Sequence, residues 1–81
     1  MSVGLAMIVR DAEDTLGVCL KSVAGLFDDV VVVDTGSIDN TVKIAESAGA
    51  RVSHFTWIND FSAARNYSFS LLNTEWAFWL D

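Results

Sequence analysis

Seven residues of this chain have the side chains and the placement to do chemistry together: Arg10, Asp11, Asp34, Asp39, Asp60, Arg65 and Asp81. Each falls at or just beyond the end of an apolar run or at the start of a helical pattern. The clearest case is "DDVVVVDTGSIDNT", Asp28 to Thr41, in which four valines stop at Asp34 and a turn dense in hydrogen-bonding groups follows. Carboxylates gathered with two guanidinium groups suit an anionic ligand that arrives with a divalent cation. The cation offsets the carboxylates, and magnesium or manganese shared between one or two carboxylates and substrate phosphates fits such an edge.

Every one of these residues also has a plainer reading. Ser37 and Asp39 stand at a helix start, and capping accounts for them without a ligand. Asp34 can open the turn through an Asx hydrogen bond. It nevertheless ends a buried strand, and we read it as a binding residue. Arg65 lies near a helix N-terminus, where a cation opposes the dipole. It either meets a phosphate or pairs with Asp60 or Asp39, and Arg10 is open in the same way. His54 has no Cys or second His near it in the sequence and reads as structural or surface. Trp57, Phe61, Trp76 and Trp79 read as core or interface, with base stacking by Trp57 the weaker option.

The elements that must position these groups alternate along the chain. Val3 to Val9 reads as a first buried strand. Ala12 to Leu26 follows as a helix, with Leu16, Cys19, Leu20, Val23 and Leu26 at helical spacing, Asp11 as its cap and Gly25 near its end. Cys19 is expected as a buried core thiol. Val30 to Val33 is the second strand, and Ile38 to Ala48 the second helix, with Ser37 as N-cap and Gly49 as its stop. Arg51 to Phe55, Phe61 to Leu72 (capped by Asp60 or Ser62) and Trp76 to Leu80 complete the order βαβαβαβ. Near-continuous apolar strands alternating with helices imply an α/β fold, a Rossmann-like parallel sheet with helices on both faces. In such sheets ligands bind beyond the carboxyl ends of the strands, which is where the seven residues fall.

The 81 residues allow one domain, and a domain this short buries only roughly 60% of its unfolded surface. A composition of 52% hydrophobic residues, with three Trp and five Phe, is rich for that size. A chain that stops at the last residue of a fourth strand is expected to be a single partial domain over 1–81, a fragment whose apolar excess meets further protein. The net charge of −6 argues against nucleic acid or an anionic membrane as partner. One cysteine excludes an internal disulfide and a Cys-rich metal site. No basic segment precedes the first apolar run, and none of the runs approaches the ~20 residues of a membrane span, so a cytoplasmic location is expected. The turn after the first strand lacks the glycines of a dinucleotide fingerprint, and no Ser-His-Asp or Cys-His set assembles. A receiver-like domain would need a phosphoacceptor Asp after the third strand, where Phe55-Thr56-Trp57 stands.

"AMIVRDAEDTLGVCLKSV", "VVVVDTGSIDNTVKIAESAGARV", "FTWINDFSAARNYSFS" and "EWAFWLD", in this order, resemble the N-terminal half of a family 2 glycosyltransferase of the GT-A fold. The resemblance covers essentially the whole chain. It is closest to the bacterial group that includes lipopolysaccharide-core sugar transferases and relatives with helical repeats, marked by D-T-G-S-x-D and W-x-x-D-F-S-x-A-R-N. The resemblance implies that Val9 and Arg10 border the nucleotide base and that Asp34 sits beside the nucleoside. Many members have two acids in that turn, whereas this chain has Thr35 at the second position. It implies that Arg65 approaches the diphosphate and that Asp81 is the first acid of a D-x-D metal motif. It further implies a nucleotide-diphosphate sugar donor, a divalent metal (Mg or Mn) and inverting transfer to an acceptor hydroxyl (glycan, lipid or protein). The general base lies in the family's C-terminal half, so the fragment alone is expected to be inactive. The competing expectation is a non-catalytic α/β module that self-associates through exposed apolar strand surface.

Overall fold

The computed structural model describes residues 2–57 and 59–80. Seven elements alternate along the chain: β1 (Val3–Val9), α1 (Leu16–Ser22), β2 (Asp29–Asp34), α2 (Thr41–Ser47), β3 (Arg51–His54), α3 (Phe61–Ser70) and β4 (Trp76–Leu80). The strands form one sheet in the order β3-β2-β1-β4, with every pairing parallel. The α/β class and the Rossmann-like sheet expected from the sequence are therefore present. The first two crossovers step outward in one direction, from β1 to β2 to β3. The third returns past both strands to place β4 beside β1. Right-handed connections then put α1 and α2 on one face and α3 on the other.

The two faces are packed differently, and the residues of β1 show why. Its side chains alternate across the sheet. Leu5, Met7 and Val9 point one way and join Val32, Leu16 and Leu20 in the main cluster with Ala45. Leu16 and Leu20 are one helical turn apart, so α1 buries one stripe. On the opposite face β1 offers Gly4 and Ala6, both buried, and the half-buried Ile8, and α3 answers with the buried Ala64 and Ser68. Small residues on both sides let this layer come close. A Cβ placed on Gly4 would lie 2.6 Å from Thr74 Oγ1 and 2.9 Å from Leu72 Cδ2.

Helix boundaries are where the sequence reading needs correction. α1 starts at Leu16 rather than Ala12, because Thr15 and Leu16 both donate to Ala12 O (3.1 and 2.9 Å) and close a separate turn first. It ends at Ser22, and Leu26, expected on the buried stripe, is 68% exposed beyond a left-handed Gly25. α2 starts at Thr41 rather than Ile38, and Ile38 is 94% exposed. α3 ends at Ser70 instead of Leu72, with Leu71 and Leu72 donating to Ser68 O and Phe69 O in a tightened last turn. Cys19 is half-buried, packed against the main cluster rather than inside it. Among the described residues no helix is long and apolar enough to cross a membrane.

The close approach at Gly4 generates a direct test. Gly4→Val should lower stability by about 1–3 kcal/mol, the usual range for forced overpacking. Gly17, on α1, would bring its Cβ only to 3.4 Å from Ile44 Cγ2. Gly17→Ala should be neutral or stabilising by up to about 1 kcal/mol, since alanine loses less entropy in a helix. Chemical denaturation of the two variants checks both, and equal losses would refute the asymmetry between the faces.

Candidate ligand site at the strand ends

Because all four strands run parallel, their C-terminal ends share one edge. The register sets Val9, Asp34 and His54 side by side there, at the ends of β1, β2 and β3. Asp34 points a charged group into the protein: the residue is only 3% exposed. Its Oδ2 accepts from the N–H of Gly36 (3.2 Å) and of Ser37 (3.1 Å). His54 Nδ1 stands 3.6 Å from the same oxygen, an ion pair when the imidazole is protonated. Oδ1 is buried and has no hydrogen-bond partner among the described residues. A buried acceptor of this kind costs about 1–3 kcal/mol, more when charged, unless something donates to it. Asp34, Thr35, Gly36, His54, Phe55, Thr56 and Trp57 surround a hollow of about 240 Å³.

The rest of the D-T-G-S-x-D turn does something else. Thr35 is buried, and both its N–H and its hydroxyl donate to Val9 O (3.1 Å each). The second-acid position of the motif thus faces a carbonyl, where a carboxylate would be repelled. Ser37 Oγ accepts from Asp11 N–H (2.8 Å), and Asp11 Oδ1 accepts in return from Ile38 N–H (2.8 Å). Thr41 Oγ1 accepts from Ala12 N–H (2.8 Å). Asp39 Oδ2 accepts from Glu13 N–H, and Glu13 Oε2 from Asn40 N–H (both 3.3 Å). Two neighbouring loops are thereby clasped by reciprocal side chain-to-backbone bonds.

The clasp corrects the capping assignments. Ser37 does not cap α2, whose N-cap residue is Asn40, without a side-chain cap bond. Asp39 does serve the helix start, since its Oδ1 accepts from Thr41 N–H (2.9 Å) and from the Thr41 hydroxyl. Asp11 does not cap α1 but crosses to the next loop. Asp60 caps α3 as expected, accepting from Ala63 N–H (3.1 Å).

The other expected site residues are spread along the edge. Val9 is buried and takes part through its carbonyl, while Arg10 is exposed. Both line a second hollow of about 310 Å³ with Ala12, Thr15 and Cys19, apart from the one at Asp34. Arg65 has its guanidinium carbon 4.1 Å from the centroid of the Trp79 ring, a cation–π arrangement. Asp81 lies outside the described residues. Among the described residues no three His, Cys, Asp or Glu side chains converge as a metal site. His54 is exposed, in line with its reading as a structural or surface residue, and Trp57 lines the Asp34 hollow. Trp57 is half-buried and donates from Nε1 to Asn59 Oδ1 (3.0 Å), which pins the indole at the rim.

The Thr41 hydroxyl, helped by backbone N–H groups, holds the Asp39 carboxyl below its ordinary pKa, against the opposing effect of desolvation. A depressed carboxyl pKa stabilises the fold above the unfolded value, and that contribution disappears as pH falls through the lowered one. Asp39 should therefore keep accepting its hydrogen bonds to a lower pH than an ordinary Asp carboxylate would. Thr41→Val should raise the Asp39 pKa toward the ordinary value, read by carboxyl-carbon NMR titration. An unchanged titration would show that the hydroxyl does not control it.

Known proteins share this fold. The family model described as glycosyl transferase family 2 matches residues 5–81. The chain is 47% identical over 79 residues to a TPR repeat-containing protein of Synechococcus elongatus, covering 98% of this chain and 20% of that protein. It is 32% identical over 77 residues to the prophage-derived glycosyltransferase SunS of Bacillus subtilis, covering 93% of this chain and 18% of that one. It thus spans about a fifth of the length of these curated relatives. Glucosyl-3-phosphoglycerate synthase from Mycobacterium tuberculosis, crystallised with Mn2+, uridine diphosphate and glucosyl-3-phosphoglycerate, has the same fold. The TM-score is 0.83 over 99% of this chain and 33% of that one, at 23% identity. A structure of that synthase with Mn2+, uridine-diphosphate-glucose and phosphoglyceric acid matches 65% of this chain and 20% of the other, at 32% identity and TM-score 0.58. With residues 5–81 matched on a sheet of this topology, the chain belongs to glycosyl transferase family 2.

Proposed function

We propose that residues 1–81 are the donor-binding half of a glycosyltransferase that takes a nucleotide-diphosphate sugar and transfers the sugar, with inversion, to an acceptor hydroxyl. The observation that carries this is Asp34 Oδ1, an acceptor buried without a partner beside a hollow at the strand ends. A nucleoside N–H satisfies it. Bases with an imino N–H, such as uracil or guanine, present that donor on the ring, whereas adenine and neutral cytosine donate only from an exocyclic amino group next to a bare ring nitrogen, which a carboxylate repels. The related synthase was crystallised with uridine diphosphate, which is consistent with this choice.

In this reading Asp34 holds the nucleoside, Val9 and Arg10 border it, and Arg65, half-buried over Trp79, approaches the diphosphate. Asp81 is proposed as the residue that holds a divalent cation, magnesium or manganese. The described residues do not themselves form a metal-ligand set. When bound, the cation supplies positive charge to the departing diphosphate. The acceptor hydroxyl attacks the anomeric carbon after losing its proton to a carboxylate base. That base and the acceptor site belong to the family's C-terminal half, so this chain is proposed to bind donor without turnover. A cytoplasmic location is part of the same proposal.

Uridine diphosphate with magnesium should shift the amide resonances of Gly36, Ser37 and His54 at up to millimolar ligand. Asp34→Ala should weaken binding about 5- to 150-fold, which corresponds to about 1–3 kcal/mol for a lost buried hydrogen bond. Cytidine diphosphate should bind more weakly than uridine diphosphate. Absence of any shift with the wild-type chain would sink donor binding by this half.

A second reading rests on Trp76 and Phe78, which are 57% and 55% exposed on β4. They are two residues apart on one face of that strand, and Phe78 packs edge-on against Phe27. Such a surface supports self-association. Sedimentation equilibrium distinguishes the two: a monomer at all concentrations removes the second reading, and Trp76→Ser should abolish any dimer if it holds.

A further inference from the structure

We propose that the Trp57 indole is the platform on which the base of the donor lies flat while Asp34 meets the edge of that base. This deepens the donor-binding reading above and rests on it. The hollow at Asp34 is bounded by two segments, residues 34–36 at the end of β2 and residues 54–57 at the end of β3. Hydrogen bonds along one edge fix a base within its plane but let it turn about that edge. An aromatic face against the ring supplies the missing constraint. Three residues lining the hollow carry flat rings: His54, Phe55 and Trp57. The His54 imidazole stands beside Asp34 Oδ2 and is largely exposed. The Phe55 ring lies 5.1 Å from that of Tyr67, whose hydroxyl shares a hydrogen bond of 2.7 Å with Ser53 Oγ. Phe55 thus belongs to the contact between this strand end and α3. Trp57 remains.

Two observations fit Trp57 to that task. Its side chain is half-buried at the rim of the hollow, yet it stands apart from the main apolar cluster. Its one polar atom is satisfied by Asn59 Oδ1, so the ring is held in place without spending its apolar surface on the core. Asn59 makes that bond from φ +58°, in the left-handed region that Asn enters more readily than most residues. Asn59 is itself exposed, so burial does not account for its conformation. Backbone of this kind gathers at segments that hold ligands. Trp57 is then the residue that touches the base, and Asn59 a positioning residue behind it. The two sides of the hollow divide the recognition. A stacked ring grips any planar base by its face, and Asp34 Oδ1, buried and without a partner among the described residues, selects by the edge.

Uridine diphosphate and 5,6-dihydrouridine diphosphate, each with magnesium, test this on the whole chain. Dihydrouracil keeps the N–H between two carbonyls that Asp34 would meet, but its ring is no longer flat and conjugated. Wild type should bind uridine diphosphate about tenfold more tightly than the dihydro compound, within the range of base–aromatic stacking. Trp57→Ala should bind uridine diphosphate about tenfold more weakly and lose the preference. Trp57→Phe, which restores an aromatic face, should stay within about threefold of wild type. Asp34→Ala should weaken both ligands alike and keep the preference. The Trp57 indole N–H resonance should shift on addition of uridine diphosphate. Without ligand, that proton should exchange faster in Asn59→Gly, which accepts the backbone conformation but lacks the acceptor, than in Asn59→Asp, which has both. Equal binding of the two nucleotides by wild type, a preference that survives Trp57→Ala, or an unmoved indole resonance would each overturn the platform and leave the donor reading standing. Equal indole exchange in the two Asn59 variants would overturn the positioning role of Asn59. Absence of any nucleotide binding by wild type would overturn both the platform and the donor reading.

Discussion

The structure turns on a single buried carboxylate. Carrying Asp34 out of four consecutive valines brings a charge to the end of the most enclosed strand, where burial without partners is expensive. The turn that follows is shaped by that need. Gly36, with φ +119°, lets the chain fold back so that two successive N–H groups reach Oδ2. A residue with a Cβ would be strained there, although the space around it is open. One oxygen is thus satisfied within the protein. The other has no hydrogen-bond partner among the described residues.

The sheet makes that arrangement rigid. β2 lies between β1 and β3, so Asp34 is flanked by Val9 and His54 in fixed register. The N–H groups of Thr35 and Phe55 donate to the carbonyls of Val9 and Asp34, which extends the ladder slightly beyond the strands. Below the edge, large aliphatic side chains fill the layer under α1 and α2, and small ones let α3 sit close on the other side. At the opposite end of the strands Arg51 makes two hydrogen bonds with Asp29, at 3.0 and 2.5 Å, and one with Leu71 O at 2.7 Å. That pairing raises the Arg51 pKa, chiefly through the hydrogen bonds to Asp29. It joins the starts of β2 and β3 to the end of α3, yet Arg51 is largely exposed, so its contribution is modest.

Strands were legible because their signal is local. Apolar runs such as Val3 to Val9 and Trp76 to Leu80 fix both existence and extent, and alternation with helical patterns fixes the parallel sheet. Helix starts were less legible because the residues that look like caps here serve a partner 26 or 27 positions away. Ser37 before an apolar helical pattern has the sequence signature of an N-cap, yet its hydroxyl is taken by Asp11. Only the pairing of β1 with β2, which brings the two following loops together, reveals this. That Asp34 ends a buried strand was legible from its position after four valines. The placement of His54 beside Asp34 and of Trp57 at the hollow was not legible, because it comes from register and loop geometry rather than from residue type.

The same contrast bears on what a motif means. In D-T-G-S-x-D the residue types suggest a cluster of ligands, but the bonds divide them otherwise. Thr35 seals the turn to Val9, Gly36 permits the fold-back, and Ser37 and Asp39 hold the neighbouring loop. Only Asp34 keeps a buried acceptor unspent. Thr35 at the position where many family members have an acid is consistent with that division. A hydroxyl can donate to the Val9 carbonyl, whereas a carboxylate could not. A run of polar residues after a buried strand is therefore better read through the hydrogen bonds that each residue makes than as a ready-made cluster of ligands.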